Sequence, residues 1–164
     1  MAANTGAFAN EEPIPASSNA LDAIPDEMPF DVPYGAPISL ERAEAAVQAA
    51  VAEAGKRNWK MNVAIADSGG NLVTFARMDG AMLASIQIAV HKARAAVTFR
   101  RPTRFFEDGV NLMHLNYLLA FDGVIASRGG IPLIAGGKII GAIGCSGGTD
   151  SQDEVISKAG ADAI

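Results

Sequence analysis

The sequence predicts a single α/β domain of the α+β kind, an antiparallel sheet flanked by helices. Two β-rich runs, 61–78 and 131–146, each fold back on a glycine-containing turn. Segments with helical spacing precede, separate and follow them. The resulting order of helix, hairpin, two helices, hairpin and helix pairs neighbouring strands antiparallel and excludes a doubly wound parallel fold. At 164 residues, 49% of them hydrophobic, the chain supports one real core and not two ordinary ones.

The first helix begins after Ser39, whose hydroxyl suits an N-cap, and carries Leu40, Ala43, Val47, Ala50, Val51 and Ala54 on one face. Gly55, Lys56 and Arg57 suit its end. Met61–Asp67 and Leu72–Met78 flank the turn Ser68-Gly-Gly-Asn71 and read as a hairpin. A long helix is expected over Met82–Phe99. Met82, Ile86, Ala89, Ala93, Ala96 and Val97 form one apolar stripe on it, and Ala84, Ile88, Ala95 and Phe99 a second. Apolar surface on two sides calls for cover on two sides. Pro102 ends that helix, and Thr103 is placed to cap a short one over Arg104–Asn111. Leu112–Arg128 reads as loop with a short strand near Gly123–Ala126, which brings the sheet to about five strands. Ile131–Ala135 and Lys138–Ser146 meet at Gly136-Gly137, the pair that a two-residue primed turn favours. Gly141 and Gly144 within the last strand imply close approach of another backbone or a ligand. A final helix starts at Ser151, with Ser151 and Glu154 as its capping box.

Residues 1–38 form a separate unit, an extended acidic arm before the domain at 39–164. They hold six of the eight prolines, and proline removes a donor and fixes φ. They also hold six acids (Glu11, Glu12, Asp22, Asp26, Glu27, Asp31) and no Lys or Arg. Of 18 acids, 12 therefore remain to face all 13 bases, so the formal charge of −5 belongs to the arm. Phe8, Leu21, Ile24, Met28, Phe30 and Tyr34 fit an arm that lies on its own body or on a neighbouring subunit. No basic footprint for nucleic acid is present, and no run approaches the roughly 20 apolar residues of a membrane span. A lone Cys145 rules out an intrachain disulfide. The first 30 residues show no secretory signal, so a cytoplasmic location is expected.

The segments Val63-Ala-Ile-Ala-Asp-Ser-Gly-Gly-Asn-Leu72, Met78-Asp-Gly-Ala81, Lys92-Ala93, Phe99-Arg-Arg-Pro-Thr103, Gly129-Gly-Ile-Pro132 and Gly141-Ala-Ile-Gly-Cys-Ser-Gly147 resemble the GlcG/HbpS family, which includes the C-terminal domain of PduO-type proteins. The likeness runs from about Ser39 to the C-terminus. It implies a profilin-like sandwich that assembles into dimers to octamers. It also implies haem or a related small ligand as cofactor, since some members bind haem and others accompany catabolic pathways.

The residues offer few ways to meet such a ligand. Haem iron takes His, Met, Tyr or Cys. His91 lies mid-helix beside Lys92 and Arg94, which could meet propionates, although a satisfied helix histidine is the plainer reading. Met113, His114 and Tyr117 form a second group, for which surface placement is the plainer reading. Lys92, Arg94, Arg100, Arg101 and Arg104 put five cations into thirteen residues, with Thr103 among them. They read as an anion clamp, or as a solvated helix end or partner for the acidic arm. The expected ligand set is His91, Lys92, Arg94, Arg101, Thr103 and Arg104. The glycine-rich loop 144–150 lacks a P-loop lysine, Cys145 has no activating base in view, and two histidines and one cysteine show no zinc spacing, so no metal-ion site is expected. The rival to a homo-oligomeric small-ligand binder is a cofactor-free isomerase, hydratase or lyase for a small carboxylated metabolite. There His91, Asp79 or Asp67 would be the base, and Arg77 or Arg104 would hold the carboxylate. A third reading is an assembly protein whose arm ties subunits together.

Overall fold

The computed structural model describes residues 24–164. Helix α1 spans Leu40–Lys56, strands β1 and β2 Asn62–Asp67 and Leu72–Arg77, and helix α2 Ser85–Thr98. Helix α3 spans Arg104–Asn111, and a 3₁₀ turn follows at Asn116–Ala120. Strands β3 and β4 are Gly130–Ala135 and Lys138–Ser146, and α4 closes the chain at Asp150–Ala161. The sheet runs β2-β1-β4-β3 with every neighbouring pair antiparallel.

Each turn has a physical cause. The Asp67 carboxylate accepts the backbone N–H groups of Gly69 at 2.8 Å and Asn71 at 2.9 Å, which closes the first hairpin. Gly136 and Gly137 sit at φ +56° and +73°, both positive as a type I′ turn requires. The Ser39 hydroxyl caps α1 through the N–H of Arg42.

Several sequence expectations are corrected. Among the described residues four strands form instead of about five. Residues 123–126 are irregular, and the chain before them spends its backbone bonds on the 3₁₀ turn. The free edge of β4 beyond β1 is met by the chain before α1. Ile139 N–H donates to the Pro33 carbonyl at 2.9 Å, and Gly35 N–H donates to the Ile139 carbonyl at 2.8 Å. Helix α2 starts at Ser85 rather than Met82, because residues 80–84 supply no capping side chain and a backbone turn from Met82 to Ser85 takes its place. The capping box of α4 is Thr149 with Gln152, two residues earlier than Ser151 with Glu154. That start turns Asp153 and Ser157 inward. Thr103 does not cap α3; its buried hydroxyl accepts the Gly130 N–H at 2.9 Å.

The two faces of the sheet carry different cores. Helices α1 and α4 cover one with Ala43, Ala46, Ala50 and Ile156 against Val63, Ile65, Ile143 and Cys145. The fully buried branched side chains here are worth about 1.5–3 kcal/mol each. The other face packs Ala89, Ala93, Ala96 and Val97 of α2 against Ala64, Ala66, Ile139 and Ala142. Small residues let α2 come so near that a Cβ on Gly144 would collide with the Ala89 carbonyl and the Ala93 nitrogen, the close approach expected in the last strand. A third cluster gathers Phe106, Leu115 and Leu118 with Phe99, Val110, Val124 and Ala126. It reaches the end of α2 through Phe99, the residue that follows the helix. At the other end, Met82, Leu83 and Ala84 are exposed.

The arm's Glu11, Glu12, Asp22, Phe8 and Leu21 lie outside the described residues. From Phe30 onward it lies on its own body. Asp31 reaches Arg100 at 3.4 Å, and the Tyr34 hydroxyl donates to the Val97 and Thr98 carbonyls at 2.9 and 3.0 Å. No helix among the described residues is long and apolar enough to cross a membrane.

Candidate functional site: a cleft on the second helix

Helical periodicity decides which side chains of α2 can meet a ligand. Gln87, Val90, His91 and Arg94 are spaced i, i+3, i+4 and i+7, so they share one face. That face, with Asp122 and Gly123 from the irregular stretch beside it, lines a cleft of about 420 Å³. The His91 Nε2 is 3.1 Å from the Gly123 carbonyl oxygen. A carbonyl can only accept, so in this contact Nε2 is the donor and Nδ1 is the nitrogen it leaves unengaged. Arg94 gives its Nε–H to the Gly70 carbonyl at 3.2 Å, leaving its terminal N–H groups for other acceptors.

The cationic run does not converge on one anion. Its members are divided between α2, the turn after it and α3, and most find acceptors within the protein. Lys92 is 1% exposed and donates to Asp153, itself 2% exposed, at 2.7 Å. Asp150 stands 3.6 Å away. Burial holds the Asp153 carboxyl above its ordinary value even against this ammonium. The Arg101 guanidinium carbon sits over Phe30, 3.6 Å from the ring centre, and 4.8 Å from that of Phe105. Burial, helped by the charge of Arg100, holds its guanidinium below the usual value. Arg104 pairs with Asp108 at 3.1 Å and Glu154 at 3.4 Å. Thr103 belongs to the core, as described above. Of the expected ligand set, the structure brings His91 and Arg94 together and directs Lys92, Arg101, Thr103 and Arg104 elsewhere.

The enzymatic set is divided as well. Arg77 and Asp79 line a second cleft of about 410 Å³ with Val51, Lys60, Ala76 and Met78, between α1 and the edge strand β2. His91 belongs to α2, on the opposite face of the sheet. Asp67 is held in its hairpin turn. Met113, His114 and Tyr117 are exposed and line neither cleft. Cys145 is fully buried, and burial pushes its thiol up to about 12, which makes it a poor nucleophile. Among the described residues, no cluster of three or more His, Cys, Asp or Glu side chains could hold a metal ion.

Sequence reading missed Gln87, Val90, Asp122 and Gly123. Gln87 was within reach, one helical turn before His91. Asp122 and Gly123 were not, because only tertiary packing lays that irregular stretch along α2.

A four-stranded antiparallel sheet between the pair α1 and α4 on one face and α2 on the other defines an α/β sandwich. The chain belongs to the HbpS-like family, described as haem-degrading protein HbpS-like, whose model matches residues 38–162. It is 38% identical over 109 residues to Protein GlcG of Escherichia coli K12, which covers 66% of this chain and 81% of that one. Two solved structures are similar. The PduOC:haem complex has TM-score 0.70 and 30% identity, covering 78% of this chain and 95% of the other. A double mutant of Streptomyces reticuli HbpS has TM-score 0.73 and 29% identity, covering 87% and 97%.

Proposed function

We propose that this chain is a small-ligand-binding protein that takes haem in the His91 cleft. The observation that carries the reading is the placement of an imidazole and a guanidinium one turn apart on the walls of a single cleft. The similarity to a PduOC:haem complex supports it. The donor set fits the group. His91 offers one nitrogen while the other is held by the Gly123 carbonyl, the outer-shell arrangement that orients metal-bound imidazoles. Arg94 offers terminal N–H groups to a propionate, Val90 gives apolar contact, and the volume lies within the roughly 300–1,000 Å³ of small-molecule sites. Bound haem would supply a redox-active iron. His91 would ligate it and Arg94 would anchor a carboxylate.

Titration with haemin tests this. A Soret band should develop and shift, His91→Ala should abolish the shift, and Arg94→Gln should weaken binding about tenfold, or 1.4 kcal/mol. A Soret spectrum identical in wild type and His91→Ala removes the reading.

The same proposal includes assembly into a homo-oligomer. Leu112, Met113, Tyr117, Leu119 and Phe121 are exposed within ten residues, and a run of this kind supports a subunit contact. Light scattering should show a mass above that of one chain, lowered by Leu119→Asp. A monomer at all concentrations removes this part. The cofactor-free enzyme is less well supported, since of its three proposed bases only Asp79 lines a cleft with Arg77, while His91 lines the other and Asp67 is held in its hairpin turn.

A further inference from the structure

We infer that Glu107 of α3 is a positioning residue for the His91 cleft. It holds, through Arg128, the irregular wall whose Gly123 carbonyl accepts from His91. The inference deepens the proposed function, and its haem arm rests on that reading. Residues 122–128 belong to no helix or strand, so no ladder fixes where the Gly123 carbonyl stands. Side chains tie the stretch down instead. Near its middle, Val124 and Ala126 pack on Phe106, Leu115 and Leu118. At its end, the Glu107 carboxylate accepts the Arg128 backbone N–H at 2.6 Å and the Arg128 Nε–H at 2.7 Å. A terminal guanidinium nitrogen stands 2.6 Å from the same carboxylate.

Glu107 anchors this arrangement rather than being one of several equal partners. It is 8% exposed, and its two oxygens meet three donors of one residue. Asp108 and Glu154 reach Arg128 only at 3.4 and 3.7 Å. Glu107 also lies in the first turn of α3, where the free N–H groups of a helix favour a carboxylate. Its neighbour Phe106 belongs to the cluster beneath Val124 and Ala126. One short helix thus grips the wall twice, by charge at Arg128 and by apolar contact at Val124 and Ala126. Removing the Glu107 charge deprives Arg128 of its main acceptor and frees that end of the wall. The Gly123 carbonyl, 3.1 Å from His91 Nε2, is then no longer held in place.

The test reads His91 in the full-length protein without ligand. A hydrogen-bonded Nε2–H gives an NMR resonance protected from solvent exchange. Glu107→Gln keeps one acceptor oxygen but turns an NH₂ group toward the Arg128 donors. It should speed exchange of the His91 Nε2–H at least about tenfold, and weaken haemin binding by about the same factor. Arg128→Ala leaves only the backbone N–H on Glu107 and should give a smaller change of the same sign. Arg104→Gln is the control. It removes a pair between α3 and α4 without touching Glu107, and should leave the His91 signal as in wild type. A signal unchanged in both Glu107→Gln and Arg128→Ala, or changed as much by Arg104→Gln, would overturn the inference. If Glu107→Gln does not fold, Arg128→Ala decides by the same criterion. A His91 signal that responds to Glu107→Gln in a protein that binds no haemin would keep the positioning role and remove the haem reading, so the two fail separately.

Discussion

His91 and Lys92 are adjacent on one helix and have opposite surroundings. Lys92 points between α2 and α4 and ends on the buried Asp153. His91, about 100° further round, faces an open cleft. The cations after it follow Lys92 more than His91. Arg101 is stacked on rings from the arm and α3, and Arg104 is paired with two carboxylates. In the sequence all of them read as one basic cluster. In the fold, the satisfied cations join layers, and only the side chains facing the cleft remain available to a ligand.

The sharpest break of this contrast is Lys92→Ala. It leaves Asp153 buried without its counter-charge and should cost about 3–5 kcal/mol in denaturant unfolding. Replacing both partners, as Lys92→Met with Asp153→Leu, should recover most of that. If the single variant is as stable as wild type, Lys92 is not a structural cation. Next in size is the arm. Tyr34→Phe removes two hydrogen bonds to the end of α2 and should cost about 1 kcal/mol, with Phe30→Ala adding a similar loss from the Arg101 stack. The two measured together test whether the arm acts as part of the domain.

Asp67 tests a polar group held by its own turn. Desolvation raises its pKa, but the donated N–H bonds from Asn71, Gly69 and Gly70 outweigh that and hold the folded carboxyl below its ordinary value. Its stabilisation is therefore full above about pH 4, the unfolded value, and is lost as pH falls through the folded one. Asp67→Asn should cost about 1 kcal/mol at pH 7, a penalty that shrinks below pH 4. A penalty independent of pH would show that the charge is not what the turn uses. The smallest effect is expected at His91→Ala, under about 0.5 kcal/mol in stability despite loss of the haemin response. A large destabilisation would return His91 to the structural class with Lys92.

The elements with strong local signals were legible in the sequence. Ser39 fixes the start of α1, the Asp67–Asn71 turn fixes the first hairpin, and Gly136-Gly137 fixes the second. Choices between equivalent local signals were not. Both Thr149-x-x-Gln152 and Ser151-x-x-Glu154 can cap a helix, and the structure uses the first, which also brings Asp153 to Lys92. Thr103 had the right chemistry for a cap but pairs with Gly130 across the fold. His91 with Arg94 was readable as a helical pair, whereas its partner Gly123 lies 32 residues away in an irregular stretch.

By itself the sequence determined the fold class and the order of elements, because periodicity and turn chemistry act over a few residues. Only the tertiary structure decided which cations are consumed and which face a cleft, and that Arg77 and His91 line different clefts. Charge is satisfied by whatever comes near in space, and nearness between distant residues is set by packing.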